Sequence, residues 1–304
     1  MSSNAAALLR QAGLAAALCL SGAGCEASAL RLCNGPQLSP AEQDRLFRYA
    51  ALIKSELEAS GQSIALISRS GLDLSRFGLR YSHAGLSLKS SDNTPWSVRQ
   101  LYYACDEGKP RLYDQGISGF VLGTDEPAVG YVSIVYLPPA QAAALEGVAL
   151  DTRRALQVLN ARYSANAYPY SLQYQNCNQW VAELLALAWA PLDEGEGARQ
   201  QAQDWLKAQG YVPQVFEAGW RPLMWFANLL PWLHSDDHPA ADLAQAIYRV
   251  SMPASIEAFV RREAPGATRV EICHTETRVV IHRGWEAIAA GCVAGEQDTV
   301  VGLE

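Results

Sequence analysis

The stretch YQNCNQWVAELLALAW, Tyr174 to Trp189, sets a cysteine directly after an asparagine at the start of an apolar, periodic run. A thiol in that place has three chemistries open to it. It could pack as a small hydrophobe, bridge to a second cysteine, or attack a carbonyl as a nucleophile. Asn176 is a strong N-cap residue, which predicts that Cys177 lies in the first turn of a helix. The free N–H groups and helix dipole there are expected to stabilise a thiolate and lower its pKa. The same N–H groups would donate to an oxyanion forming beside the sulfur. Cys177, Val181, Leu184 and Ala188 share one stripe, so the sulfur is expected to face what the helix packs on, a sheet in this reading.

A nucleophilic cysteine needs a base. Of the five histidines, His83 alone falls in a strand expected to belong to the core sheet, within RYSHAGLSL. Tyr81, His83, Gly85 and Ser87 lie on one face of that strand, and Ser82, Ala84, Leu86 and Leu88 on the other. Gly85 leaves room for a close approach beside His83. The competing reading of His83 is a core imidazole satisfied by hydrogen bonds. His234 and His238 flank Asp236 and Asp237 at helical spacing, but Pro239 and the polar run around them read as a loop. His274 and His282 sit apart on the last hairpin. No compact set of three or four metal ligands emerges, so neither a metal nor another cofactor is expected.

These residues must be carried by elements. SPAEQ, Ser39 to Gln43, is a capping box with proline at the first helical position. Leu46, Ala50, Ile53 and Leu57 make one stripe, and Gly61 follows the end, so an amphipathic helix is predicted here. Ile64 to Ser68 reads as a buried strand. The strand around His83 is followed by turn residues Ser90 to Pro95 and a second strand, Trp96 to Ala104. GYVSIVYLPP is a further strand stopped by Pro138 and Pro139, and one helix is expected over about Ala140 to Ala161. The cysteine helix ends at Pro191, another closes at Gly210, and TRVEICHTETRVVIHRGW alternates like a hairpin. Consecutive strands joined by turns predict an antiparallel sheet and an α+β class. Tyr163, Tyr168, Tyr170 and Tyr174 are candidates for a substrate groove, and Trp220 to Trp232 for core packing, a lid or peripheral membrane contact.

The chain has 304 residues, 49% hydrophobic and 18% charged, with a net charge of −7. No basic cluster stands out, so a nucleic-acid partner is not expected. At the N-terminus a charge at Arg10, an apolar run from Ala12 to Leu20 and the cleavage pattern Ala27-Ser28-Ala29 read as a signal peptide. The expected protein is periplasmic or secreted after cleavage near Ala29, and lipid anchoring at Cys25 is the second route. Removing the leader reduces seven cysteines to Cys33, Cys105, Cys177, Cys273 and Cys292. An oxidising compartment then favours Cys273 with Cys292 and Cys33 with Cys105, leaving Cys177 as the odd thiol.

YSHAGLSL followed much later by YQNCNQWVAELL resembles the circularly permuted branch of NlpC-type, papain-like hydrolases, a branch that is similar to lecithin retinol acyltransferase. There an H-x-G strand precedes a helix beginning asparagine-cysteine. The matching segment runs from about Ile64 to Ala190. That resemblance implies a papain-like antiparallel sheet packed against the cysteine helix, with Cys177 as nucleophile and His83 as base. It also implies a third, orienting group from the next strand, for which Gln100 in SVRQLYY is the choice. An amide oxygen there could accept from the imidazole and hold its tautomer. Arg99 could not do this, while Glu107 and Asp114 stay open if the strands register differently. The whole chain after the leader also resembles an uncharacterised bacterial family, domain of unknown function 2145, through RYSHAGLSL, WSVRQLYYACDE, LYDQGISGFVLG and NCNQWVAELLA. The expected organisation is a signal peptide over 1–29, a permuted papain-like core over 30–194, and an additional C-terminal α/β segment of helices and a β-hairpin over 195–304, either a separate domain or wrapped around the core. The expected activity is hydrolysis or acyl transfer on a peptide or acyl-bearing cell-envelope substrate. The alternative is a non-catalytic envelope protein on the same scaffold.

Overall fold

A computed structural model of the chain describes residue 33 and residues 37–193, 195, 197–218 and 230–303. The expected leader, Cys25 and most of the tryptophan segment, residues 219–229, lie outside the described residues. Among those described, no helix is long and apolar enough to cross a membrane.

The capping box starts helix α1 (Pro40–Ala59) as expected. Ser39 accepts from the Glu42 N–H, and Glu42 accepts from the Ser39 N–H at 2.7 Å. Its apolar stripe, Leu46, Tyr49, Ala50, Ile53 and Leu57, is buried. Five strands follow: β1 (Ile64–Arg69), β2 (His83–Leu88), β3 (Ser97–Ala104), β4 (Lys109–Gln115) and β5 (Gly130–Tyr136). A short helix, α2 (Ile117–Leu122), sits between the last two. Near the C-terminus come β8 (Thr268–His274), β9 (Arg278–Arg283) and β10 (Thr299–Gly302). All eight form one antiparallel sheet in the order β10-β9-β8-β5-β1-β2-β3-β4. The C-terminal hairpin therefore belongs to the same sheet as the His83 strand, through seven rungs between β5 and β8.

Helices cover both faces. On one, α1 and α2 pack over Ala65, Ile67, Val98, Val132, Ile134 and Ile272. The alternate residues Ile64, Leu66, Ala84, Leu86 and Leu88 are equally buried and face the opposite way. There α3 (Pro139–Leu150) meets β1 and β2, and α5 (Cys177–Trp189) meets β2 and β3. The single helix expected over about 140–161 is broken. Asp151 leaves the helix at ψ 100°, and its carboxylate caps the N–H groups of Arg153 and Arg154 to start α4 (Thr152–Gln157). An aspartate offers the backbone a cap in place of the next helical bond, and here the cap wins.

Beyond the cysteine helix lie α6 (Ala198–Ala208), a two-stranded sheet of β6 (Gln214–Glu217) with β7 (Ile247–Val250), α7 (Ala240–Ala244) and α8 (Pro253–Glu263). Cys273 and Cys292 form the expected disulfide. Cys33 and Cys105 are each disulfide-bonded, and Cys177 is the free cysteine among the described residues.

Candidate active site

Strands β2 and β3 pair only from Leu86 with Arg99 to Leu88 with Ser97. Strand β3 nevertheless stays paired to β4 as far as Ala104 with Lys109. Past Leu86, therefore, β2 and β3 part as a fork. Two further rungs would join Gly85 to Gln100 and Ala84 to Leu101. Instead the Ala84 N–H donates to Asn178 Oδ1 at 2.9 Å, and Asn178 Nδ2 donates to the Ser82 carbonyl at 3.1 Å. Buried backbone groups must find partners. One side-chain amide supplies both, on either side of His83, and that amide belongs to the residue after Cys177. The first turn of α5 is thus stitched to the backbone that carries the histidine.

Register places His83 opposite Arg69 and Gly85 opposite Ile67, so His83 rises from the face covered by α1 and α2. Its ring lies 4.7 Å from that of Tyr102 and 6.1 Å from that of Phe120. His83 Nε2 is 2.8 Å from Gln100 Oε1, and Gln100 Nε2 donates to Gln115 Oε1 at 2.9 Å. With Gln100 Nε2 turned to Gln115, the Gln100 oxygen faces the imidazole. An oxygen there requires a proton on Nε2, which leaves Nδ1 with the lone pair. Gly85 makes the approach possible. A Cβ on it would come within 2.6 Å of Val98 Cγ1 and 3.2 Å of Gln100 Cβ. The other two candidates for the third group are engaged elsewhere. Asp114 holds Arg99 through two bonds of 2.7 and 2.6 Å, and Glu107 pairs with Lys109 and Arg111.

Asn176 caps α5 as expected, accepting from the Gln179 N–H at 2.7 Å. The N–H groups of Asn178 and Cys177 and the Tyr163 hydroxyl act on the sulfur, as does the charge of Arg69. All four favour a thiolate, yet the thiol is pushed up to about 11. The expectation of an acidic cysteine is corrected here. Cys177 is only 8% exposed, and loss of solvent outweighs the helix terminus. His83, 7% exposed, is pushed down to about 3, first by burial, then by Arg69, with Gln100 opposing. The resting state is a neutral thiol and a neutral imidazole.

The loop that leads into Cys177 is anchored from behind. Buried Glu183 accepts from Gln179 at 3.1 Å, from Gln203 at 2.7 Å and from Arg199 at 2.8 and 3.0 Å. Arg199 also donates to the carbonyls of Leu172 and Tyr174 at 3.2 Å each. Of the four tyrosines named as groove candidates, Tyr163 is the one at the sulfur. Tyr170 donates to the Tyr211 carbonyl, Tyr174 stacks on His234, and Tyr168 packs on His238. His238 Nε2 lies 2.8 Å from the Asn166 carbonyl and His282 Nδ1 2.6 Å from Asp298, so these histidines have other partners. Sequence reasoning missed Asn178, Gln115 and Arg69. The second asparagine of NCN was the one visible signal for the first of these.

Fold and site together define an α+β protein whose antiparallel sheet is joined, at a fork between two strands, to a helix that begins with a free cysteine. The chain belongs to a bacterial family: residues 56–260 match the family described as "Uncharacterized protein conserved in bacteria (DUF2145)". No curated protein and no solved structure matches it.

Proposed function

We propose that the protein is a thiol hydrolase or acyltransferase of the permuted NlpC-type, papain-like kind, exported to the periplasm or beyond. The observation that carries this reading is the oriented imidazole. Gln100 holds His83 in one tautomer, Gln115 holds Gln100, and Asn178, the residue beside Cys177, bonds the backbone on either side of His83. A histidine that merely filled the core would not need a second amide to set the direction of the first. The two disulfide-bonded cysteines Cys33 and Cys105 and the Cys273–Cys292 bridge fit an oxidising compartment.

In this reading Cys177 Sγ attacks an ester or amide carbonyl of a cell-envelope peptide or acyl chain. The thiol proton passes to His83 Nδ1 as the S–C bond forms. The N–H groups of Cys177 and Asn178 receive the oxyanion. His83 then gives its proton to the departing amine or alcohol, leaving an acyl-enzyme. Water, or a second acceptor, attacks that thioester, loses its proton to His83 and restores the thiol. Because thiol and imidazole are both neutral at rest, His83 acts as a base during attack rather than holding a preformed ion pair.

The test is release of amine or alcohol from envelope peptides and acyl esters by the full chain after leader removal. Cys177→Ala is expected to abolish release and Gln100→Ala to reduce it by about 10- to 100-fold. Equal rates in wild type and Cys177→Ala would end the reading. The burial of both groups favours a second reading, a non-catalytic envelope protein in which Cys177 packs the core. That reading expects Cys177→Ala to cost stability and to change no turnover.

A further inference from the structure

Arg69 is 6% exposed and makes no ion pair among the described residues. Its guanidinium is held by neutral groups alone. It donates to the carbonyls of Ser70 (3.1 Å) and Gly123 and to the Tyr102 hydroxyl (2.7 Å), and it lies 5.4 Å from the centre of the Phe120 ring. Its Nε has no hydrogen-bond partner among the described residues. Two glycines make room for it: a Cβ on Gly71 would meet Nη1 at 2.6 Å, and one on Gly123 would collide with Nη2. The fold thus fixes a cation in a tight cradle without neutralising it, which is costly unless an anion completes the site.

The place is specific. Arg69 is the register partner of His83, and the Tyr102 that it grips lies tilted against the His83 ring. Its charge acts on both the thiol and the imidazole. Other buried arginines of this chain are paired: Arg199 with Glu183, and Arg269 with Glu257 and Glu271.

We infer that Arg69 is the specificity-determining residue of the Cys177 site and selects substrates that carry a carboxylate beside the carbonyl under attack. This rests on the thiol reading above and narrows its substrate class to acidic peptides or carboxylated acyl chains.

The test needs no substrate. Cys177 of the folded, non-reduced protein is alkylated at pH 9 with iodoacetate, which is anionic, and with iodoacetamide, which is neutral. In each case the thiolate displaces iodide and an S–C bond forms. The ratio of the two rates is compared with that of free cysteine. A fixed cation nearby is expected to raise the ratio on the order of tenfold. Arg69→Lys should keep most of the rise, and Arg69→Gln should return the ratio to that of free cysteine. A wild-type ratio at or below that of free cysteine overturns the inference, as does an unchanged ratio in Arg69→Gln. Should Arg69→Gln not fold, the wild-type ratio alone decides. Alkylation at equal rates leaves the nucleophile reading standing, whereas no alkylation by either reagent removes both.

Discussion

The resting state of Cys177 can be read out by titrating its reactivity. Burial pushes the thiol up to about 11, against about 8.5 for a free cysteine. At pH 7 the thiolate fraction is then about 1 in 10,000, compared with about 3 in 100 for free cysteine, a deficit of about 300-fold. A more basic thiolate is the better nucleophile, and over about 2.5 pKa units that returns roughly tenfold. The net expectation is iodoacetamide alkylation at pH 7 roughly 30-fold slower than free cysteine, before any cost of access. The rate should climb about tenfold per pH unit from pH 7 to 10, with no plateau before about pH 11. His83→Gln should leave this profile in place, because an imidazole pushed down to about 3 holds no thiolate at neutral pH. The assay is peptide mass spectrometry of the folded protein across that range. A plateau at or below pH 8, or a neutral-pH rate matching free cysteine, would refute the reasoning that burial beats the helix terminus at this site.

Asn178→Ala removes both partners of Ser82 and Ala84 and leaves a buried carbonyl and N–H unpaired, so denaturant unfolding should show a loss of about 2–5 kcal/mol. Gly85→Ala forces a Cβ to within 2.6 Å of Val98. A loss of about 1–3 kcal/mol is expected, with turnover falling further than the melting temperature because Gln100 is displaced from His83. Acid should destabilise the protein through its buried imidazoles. His83 and His274, pushed down to about 3 and about 4 by burial, contribute stability that is complete above the unfolded value near 6.5 and is lost as pH falls toward the folded values. Between pH 6.5 and 4.5 that is about 2 kcal/mol for each histidine, and His83→Gln should lose correspondingly less in urea unfolding across the same window.

Whatever depended on local pattern was legible in the sequence. Ser39, Pro40 and Glu42 carry a helix start in five residues, and the helix begins there. Alternation in RYSHAGLSL and SVRQLYYA gives strands, and the antiparallel class follows from their turns. Asn176 before Cys177 is a cap in the sequence and in the fold. The break at Asp151 was open to the same reasoning, since aspartate is as good a cap as asparagine. It was hidden by apolar residues on both sides that continue the helical period.

The fork between β2 and β3 was not legible, and the reason is physical. Its cause is a hydrogen bond from Ala84 to a side chain 94 residues later, and the partners are backbone groups that every residue owns. The protonation state was hidden for a related reason. Two N–H groups, a tyrosine hydroxyl and an arginine all favour the Cys177 thiolate, and at a surface they would make an acidic cysteine. Burial reverses the sign, and burial is a property of everything packed around α5 rather than of NCN. On the thiol chemistry proposed above, a site assembled this way would hold Cys177 inert until something replaces the missing solvent. The unneutralised cation at Arg69 makes an anionic ligand the group best suited to do so, because it would relieve the buried charge as it entered.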